Sequence, residues 1–241
     1  IYSNPFMVRI IIFLFSCLFL QNAAAQISCG TNVVHEQLLR NSTYKAMLAA
    51  RKPLVVTDQS FFAEPDKRDT IEVVIHIIHQ GAPLGSDANP ADDEIRDAFK
   101  TVNECFKGEY MDDRGLNKKY GVDVGVYFKI ATQTPSCEKS TGILRVDIGE
   151  NSDYRNYGVK AEGNEGISGE ALAKFSNWDN TRYLNIWLVN KIDNGFYSGY
   201  AYFPTGQKTY YDGVILQSNL IRFYDLVTHE IGHSLFLYHT F

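Results

Sequence analysis

Three histidines near the carboxyl end of the chain stand at spacings that restrict how the backbone can run there. His229 and His233 are four residues apart, so on a helix both imidazoles project from one face, one turn from each other. His239 follows six residues later, a spacing that falls off the helical period. The three rings can meet only if the helix ends after about Leu235 and the chain turns back. The sequence therefore predicts a helix over residues 221–235 followed by a reversal.

These three side chains also form a donor set suited to zinc. Imidazole nitrogens bind Zn²⁺ at about 2.0–2.1 Å, and three neutral rings leave a fourth position for water. Glu230 lies about 100° around the helix from His229, too far to be a ligand but within reach of that water. A dication that lowers the pKa of water, with Glu230 as general base, can hydrolyse a peptide bond without a covalent intermediate. The alternative is an ordinary amphipathic helix with surface histidines, although half of the six histidines of the chain fall within this motif.

The first 25 residues have the pattern of a secretory signal peptide. Residues 1–6 precede Met7 and are interpreted as upstream translated sequence. Met7 opens a short basic region, residues 10–20 are apolar without charge, and small residues end at Ala25. This apolar run is shorter than the roughly 20 residues of a membrane-spanning helix. We expect cleavage after Ala25, a secreted protein and no membrane contact in the mature form; the alternative is a buried apolar helix.

The rest of the chain divides into a polar amino-terminal part and a larger α/β region. Residues 26–68 contain a helical pattern over 36–51 and a polar linker, and we interpret them as a pro-segment. Residues 69–241 alternate between strand and helix patterns, which predicts an α/β fold of the α+β type with a twisted mixed sheet. A backing helix over 90–106 and the histidine-bearing helix would cover the same side of this sheet. The formal net charge of −5 gives no support to a nucleic-acid-binding protein.

Several segments, taken together with the zinc motif, resemble the pappalysin family of metzincin zinc endopeptidases, in particular its bacterial, cytophagalysin-like branch. The likeness covers residues 70–241 and the short sequence Cys29-Gly30-Thr31 upstream. In chain order the similar segments are residues 70–76, 95–106, 126–145, 182–192, 199–204, 212–215 and 229–241. The resemblance implies the amino-terminal subdomain of a zincin, with a mixed five-stranded sheet, a backing helix and an active-site helix.

The resemblance also implies roles for particular residues. The zinc ligands would be His229, His233 and His239. Glu230 would be the general base. The strand at the upper rim of the cleft would pair antiparallel with an extended peptide substrate through Tyr200, Ala201 and Tyr202. A plain edge strand is the alternative for this strand. Calcium stabilises some relatives and is therefore a second candidate cofactor, and the expected partner is a protein or peptide substrate.

Two features depart from the family pattern. The family has Gly or Asn where Phe236 stands, at a helix end where a positive φ costs a bulky residue roughly 1–2 kcal/mol. Either the turn tolerates Phe236 or His239 is placed less well. The sequence also stops at Phe241, whereas the family continues with a lower subdomain that holds a Met turn beneath the zinc. We therefore interpret the sequence as a carboxyl-terminally truncated upper subdomain, with the lower subdomain missing.

Three cysteines follow the signal peptide, and their odd number leaves one unpaired. In pappalysin-like zymogens a pro-segment residue can occupy the open zinc position, and a thiolate is suited to this role. We hypothesise that Cys29 is this latency switch and that Cys105 and Cys137 form a disulfide. Pairing of Cys29 with one of the other two cysteines is the alternative.

The main prediction is a secreted zinc endopeptidase made as a latent proenzyme. The second hypothesis is a non-catalytic secreted module that retains the sheet and binds a metal or another protein. The presence of Glu230 argues against a pure metal binder, which has no use for a base. The missing lower subdomain argues for the second hypothesis.

Overall fold

The computed structural model describes residues 28–51, 68–110, 122–210 and 212–240, so the predicted signal peptide and most of the linker lie outside the described residues. The helices are α1 (Thr31–Leu38), α2 (Ser42–Ala50), α3 (Asp92–Phe106), α4 (Ser152–Tyr157), α5 (Gly169–Phe175) and α6 (Tyr224–Ser234). The strands are β1 (Asp69–His79), β2 (Val126–Ile130), β3 (Ile143–Asp147), β4 (Leu184–Val189), β5 (Gly199–Tyr202) and β6 (Gly213–Gln217). None of the helices in these ranges has the length and apolar character needed to cross a bilayer.

Six strands form one mixed sheet, in which β2 and β3 share an edge. The first half of β1 pairs in parallel with β2 and its second half pairs in parallel with β3. On the other side of β1, β4 and β6 continue the sheet in parallel, and β5 runs antiparallel to β6. Between β2 and β3 the chain passes through Gly142 (φ +68°), where an added Cβ would lie 2.4 Å from the carbonyl oxygen of Ala131. The predicted mixed α/β fold is confirmed. The sheet has six strands instead of five because two short strands divide one edge.

One face of the sheet is covered by α3 and α6, as the sequence predicts. The buried residues of α3 are Ile95, Ala98, Phe99, Val102, Asn103 and Phe106. The apolar residues among them belong to the same core cluster as Leu226, Val227 and Ile231 of α6. Asn103 fixes the helix to β2, because its side chain bonds both the amide and the carbonyl of Phe128, at 2.8 and 2.9 Å. These two hydrogen bonds hold α3 against β2, and the shared core cluster joins α3 to α6.

The opposite face is covered by α4, α5 and the chain around them, and near β5 by residues 28–51, which we call the amino-terminal segment. Val34 of α1 belongs to a second core cluster that also contains Trp187 and Tyr200. The segment forms two helices instead of the single predicted helix over 36–51. Asn41 separates them, because its side chain accepts hydrogen bonds from the first amides of α2 and so caps that helix. The amino-terminal segment thus packs on the domain through the apolar side of α1.

His76 is a buried histidine of β1 that makes the fold sensitive to acid. Its Nδ1 lies 2.6 Å from Ser176 Oγ, and its Nε2 lies 2.9 Å from Asn185 Oδ1. Burial lowers the pKa of His76 from 6.5 to about 4. At a pH between these two pKa values, His76 is protonated in the unfolded chain and neutral in the folded chain. The free energy of unfolding should therefore fall by about 3 kcal/mol as the pH drops from 7 to 4, through this residue alone.

Urea unfolding at pH 7 and pH 4 measures this effect when the wild-type chain is compared with His76→Gln. Glutamine can keep hydrogen bonds to Ser176 and Asn185 but does not titrate. Between pH 7 and pH 4, we expect the free energy of unfolding to fall by about 3 kcal/mol more in the wild-type chain than in the variant. An equal loss in both chains would show that His76 does not control the acid sensitivity.

Candidate metal centre

Helix α6 holds two of the three predicted metal ligands. Its buried residues are Leu226, Val227, Glu230, Ile231, Gly232 and His233. His229 lies one turn before His233, and their ring centroids are 4.6 Å apart. The helix begins at Tyr224, after a short 3-10 turn over Ser218–Leu220, and ends close to the predicted end. Packing of the apolar side of α6 against the sheet therefore fixes the direction in which both imidazoles project.

A tight turn through Phe236 ends the helix and reverses the chain. Phe236 has φ +72°. Its amide donates to the carbonyl of His233 at 2.8 Å, and the amide of Leu237 donates to the carbonyl of Gly232 at 3.1 Å. These bonds satisfy carbonyl groups that the end of a helix leaves unpaired. The residue after the helix thus has the left-handed conformation that the family pattern implies.

Aromatic packing explains why this turn tolerates a bulky residue. The ring of Phe236 contacts the rings of Phe203 and Tyr238, each at a centroid distance of 5.4 Å. Such pairs contribute about 0.5–1.5 kcal/mol each, which is enough to offset a left-handed cost of about 1–2 kcal/mol. Of the two outcomes that the sequence left open, the structure therefore has a turn that accepts Phe236 and returns His239 to the helix.

The three histidine side chains converge on one point. The Nε2 atoms of His229, His233 and His239 each lie 3.0 Å from the other two. Ligands of a tetrahedral zinc ion at 2.0–2.1 Å are about 3.3 Å apart, so the triangle has nearly the size that the ion requires. Nδ1 of His233 lies 2.6 Å from the carbonyl oxygen of Leu237, and donation to this oxygen leaves the Nε2 lone pair free for a metal. Burial, followed by the neighbouring rings, lowers the pKa of His229 to about 4, which favours the neutral form that binds metals.

Cys29 of the amino-terminal segment reaches the same point. Its Sγ lies 3.5 Å from Nε2 of His233 and 3.6 Å from Oε2 of Glu230. The donor atoms of Cys29 and the three histidines all lie within 4.8 Å of one another. Burial, and then the charge of Glu230, raise the pKa of the Cys29 thiol to about 12, so this thiol needs a nearby cation to ionise. A dication among the imidazoles fits this donor set, with Cys29 as a fourth ligand.

Glu230 is fully buried beside these donors. Its Oε2 accepts a hydrogen bond of 3.2 Å from the hydroxyl of Thr31, and its Oε1 has no partner within the described ranges. Burial raises the pKa of Glu230 to about 8. Thr31 also accepts a bond of 2.9 Å from the amide of Ala201, so one hydroxyl connects the acid with strand β5. The sequence did not mark Thr31 as a site residue; its position two residues after Cys29 is the signal that could have revealed it.

Strand β5 lies at one end of the sheet, and the amino-terminal segment covers its outer side. The amide of Ser198 donates to the carbonyl of Ser28 at 2.8 Å, and the amide of Gly30 donates to the carbonyl of Gly199 at 2.9 Å. The segment runs parallel to β5 through the bridge between Cys29 and Gly199. The predicted substrate-binding residues of this strand are all buried: Tyr200, Ala201 and Tyr202. The strand that was expected to receive a substrate is thus paired with the chain itself.

The predicted disulfide between Cys105 and Cys137 is wrong, because both residues are free thiols, as is Cys29. Cys105 lies near the end of α3, and Cys137 lies in an exposed turn after β2. The Cys105 thiol is partly buried and the Cys137 thiol is exposed, and neither forms a disulfide in the structure.

A sequence model of the Peptidase M43 family, described as pregnancy-associated plasma protein-A, matches residues 167–241. This range includes strand β5, helix α6 and all three histidines. The matching curated proteins are also metalloproteases. One is an extracellular metalloprotease of Arthroderma benhamiae, which is 24% identical over 221 residues, 84% of this chain and 67% of the relative. An extracellular metalloprotease of Colletotrichum graminicola is 48% identical over 71 residues, 24% of each chain. These matches confirm the resemblance predicted from the sequence.

Solved structures of mirolysin have the same fold. Mirolysin in complex with compound 9 superimposes with a TM-score of 0.56 and 23% identity, covering 72% of this chain and 65% of that one. A promirolysin mutant from Tannerella forsythia superimposes with a TM-score of 0.58 and 22% identity, covering 88% of this chain and 69% of that one. The present chain thus spans about two thirds of the length of the proteins that it matches over most of its residues.

Proposed function

We propose that this chain, whose residues 167–241 belong to the pappalysin family, is the latent form of a secreted zinc endopeptidase. One observation carries the proposal: three histidine Nε2 atoms lie 3.0 Å from one another, with the carboxyl group of Glu230 and the thiol of Cys29 beside them. Three imidazoles and a buried acid are the parts that hydrolysis of an amide by an activated water requires.

The residues of the site divide this reaction between them. His229, His233 and His239 would hold the zinc ion, which would supply a Lewis acid for the substrate carbonyl and for a water molecule. Glu230 accepts the proton of the attacking water and delivers it to the nitrogen of the leaving amine. The hydrogen bond from His233 Nδ1 to Leu237 keeps the ring oriented for the metal.

Strand β5 would bind the substrate once the amino-terminal segment has left. Residues 28–31 use the main-chain groups of Gly199 and Ala201, which are the groups that an added strand would use. We propose that an extended protein or peptide substrate pairs antiparallel with Tyr200, Ala201 and Tyr202. The segment now in place runs in the opposite direction. Its peptide bonds would therefore be presented to Glu230 with reversed polarity, which explains how the segment can occupy the site without being cut there.

Two observations support secretion of this protein. Residues 1–25 have the pattern of a signal peptide with cleavage after Ala25, and the curated relatives are named extracellular metalloproteases. Within the described residues, one cluster of histidine, cysteine and acidic side chains could hold a metal, and it is the one at this site. We therefore propose zinc as the cofactor and assign no calcium site.

Latency is tested by replacing Cys29 with alanine. Loss of this ligand opens the fourth position and weakens the hold of the amino-terminal segment on the site. We expect Cys29→Ala to increase the rate of self-processing of the full chain by about 10-fold or more, since a charge-assisted contact contributes about 1.5–3 kcal/mol. Gel electrophoresis of zinc-loaded protein over time measures this rate. Cys137→Ala is the matched control, because Cys137 is also a free thiol but is exposed and lies outside the described donor cluster. Equal rates for Cys29→Ala and the wild-type chain would contradict latency through Cys29.

A further inference from the structure

Three aromatic rings beside the metal centre form a surface that we call the three-ring patch: Phe203, Phe236 and Tyr238. Phe203 stacks on Tyr238 with centroids 4.3 Å apart, and Phe236 lies 5.4 Å from both. Phe203 follows the last residue of β5, and its ring also contacts His233, with centroids 5.9 Å apart. The patch therefore lies at the carboxyl end of β5, immediately beside a predicted zinc ligand.

The end of the amino-terminal segment occupies this patch. The guanidinium carbon of Arg51 lies 3.8 Å from the centre of the Phe236 ring, a close cation–π contact. His35 of the same segment contacts Phe203 at a centroid distance of 4.7 Å and Tyr238 at 6.0 Å. The segment thus has a second attachment to the catalytic region, separate from Cys29 and formed by a cation on an aromatic face.

Departure of the segment would uncover the face of the Phe236 ring that Arg51 now covers. Such a face attracts another cation in its place, and this contact is made more often by arginine than by lysine.

We propose that the three-ring patch is a subsite for a guanidinium side chain, filled by Arg51 in the latent chain and by a substrate arginine after processing. This proposal rests on the proposed function and adds a substrate preference to it. A substrate antiparallel to β5 has its amino-terminal part at the carboxyl end of that strand, where Phe203 lies. The arginine recognised here therefore belongs to the amino-terminal side of the scissile bond.

The first test uses the full latent chain and needs no catalysis. Modification of Cys29 by a maleimide, followed by peptide mapping, reports how often the segment opens. We expect Arg51→Ala to speed this modification by about five-fold or more, and Arg51→Lys, which keeps a cation, to have a smaller effect. Arg40→Ala is the matched control, because Arg40 is an exposed arginine of the same segment. Equal rates for Arg51→Ala and Arg40→Ala would overturn the proposal.

A double-mutant cycle in the same assay shows whether the ring itself binds the cation. Phe236→Leu keeps an apolar side chain but removes the aromatic face, and the cost of this change to the turn cancels because Arg51→Ala is compared within each background. If Arg51 acts through this ring, the effect of Arg51→Ala should nearly disappear in the Phe236→Leu background. An unchanged effect in that background would show that Arg51 acts elsewhere and would contradict the subsite.

The second test uses the self-processed protein and pairs of peptides that differ only by arginine or citrulline. Citrulline keeps the shape of arginine but has no charge. The exchange is made at each of three positions before the scissile bond. We expect that at one of these positions arginine raises kcat/KM by about five-fold over citrulline. The Phe236→Leu variant should lose this preference. Equal cleavage of both members at every position would overturn the subsite for substrates. If none of the peptides were cleaved, the proposed function would fail together with its substrate preference, and the Cys29 assay would decide whether the patch binds Arg51.

Discussion

Glu230→Gln should abolish peptide hydrolysis and leave metal binding intact. The carboxyl group lies beside the three histidine nitrogens without replacing any of them in the triangle. Glutamine has nearly the same shape and can still accept the hydrogen bond of Thr31, but it cannot take a proton from water. Because general acid–base catalysis contributes about 10²–10⁴-fold, we expect a loss of about 10³-fold or more in hydrolysis.

Two measurements on the same variant make this prediction decisive. Equilibrium dialysis gives the zinc affinity, and cleavage of a fluorogenic peptide together with self-processing gives the activity. The matched control is Glu170→Gln, the same chemical change at the exposed start of α5. A non-catalytic metal-binding module predicts equal zinc uptake and no hydrolysis in the wild-type chain as well as in both variants. Hydrolysis by Glu230→Gln at the wild-type rate would show that Glu230 is not the general base.

The sequence was sufficient for the parts of the site that depend on local geometry. Helical spacing placed His229 and His233 on one face, and the irregular interval to His239 required a reversal. Both features are in the structure, with the reversal at Phe236. The backing helix was predictable for the same reason, since its apolar positions repeat with the helical period.

The parts that depend on distant contacts could not be read from local patterns. Nothing in the order of residues 126–147 shows that β2 and β3 divide one edge of the long strand β1. The pairing of Cys29 with Gly199, and the bonds of Thr31 with Glu230 and Ala201, join residues about 170–200 positions apart. The disulfide prediction failed for the same reason, because a count of cysteines carries no information about the distances between them.

Loss of the third histidine should have the second large effect, a fall in zinc affinity of His239→Ala by about 100-fold. Apparent binding free energies of zinc in four-ligand sites are about 10–16 kcal/mol, or about 3 kcal/mol for each ligand, which corresponds to about 100-fold in affinity. His79→Ala is the matched control, since His79 ends β1 outside the described donor cluster. A zinc affinity of His239→Ala equal to that of His79→Ala would exclude His239 as a ligand.

The same substitution in combination with Cys29→Ala separates the latent site from the active one. In the latent chain His239→Ala leaves three donors, because the Sγ of Cys29 lies 3.5 Å from Nε2 of His233. In the Cys29→Ala background only His229 and His233 remain. We therefore expect dialysis to show measurable zinc binding by the single variant and about 100-fold weaker binding by the double variant. If removal of Cys29 made no difference to zinc affinity in either background, the thiol would be a neighbour of the metal centre and not one of its ligands.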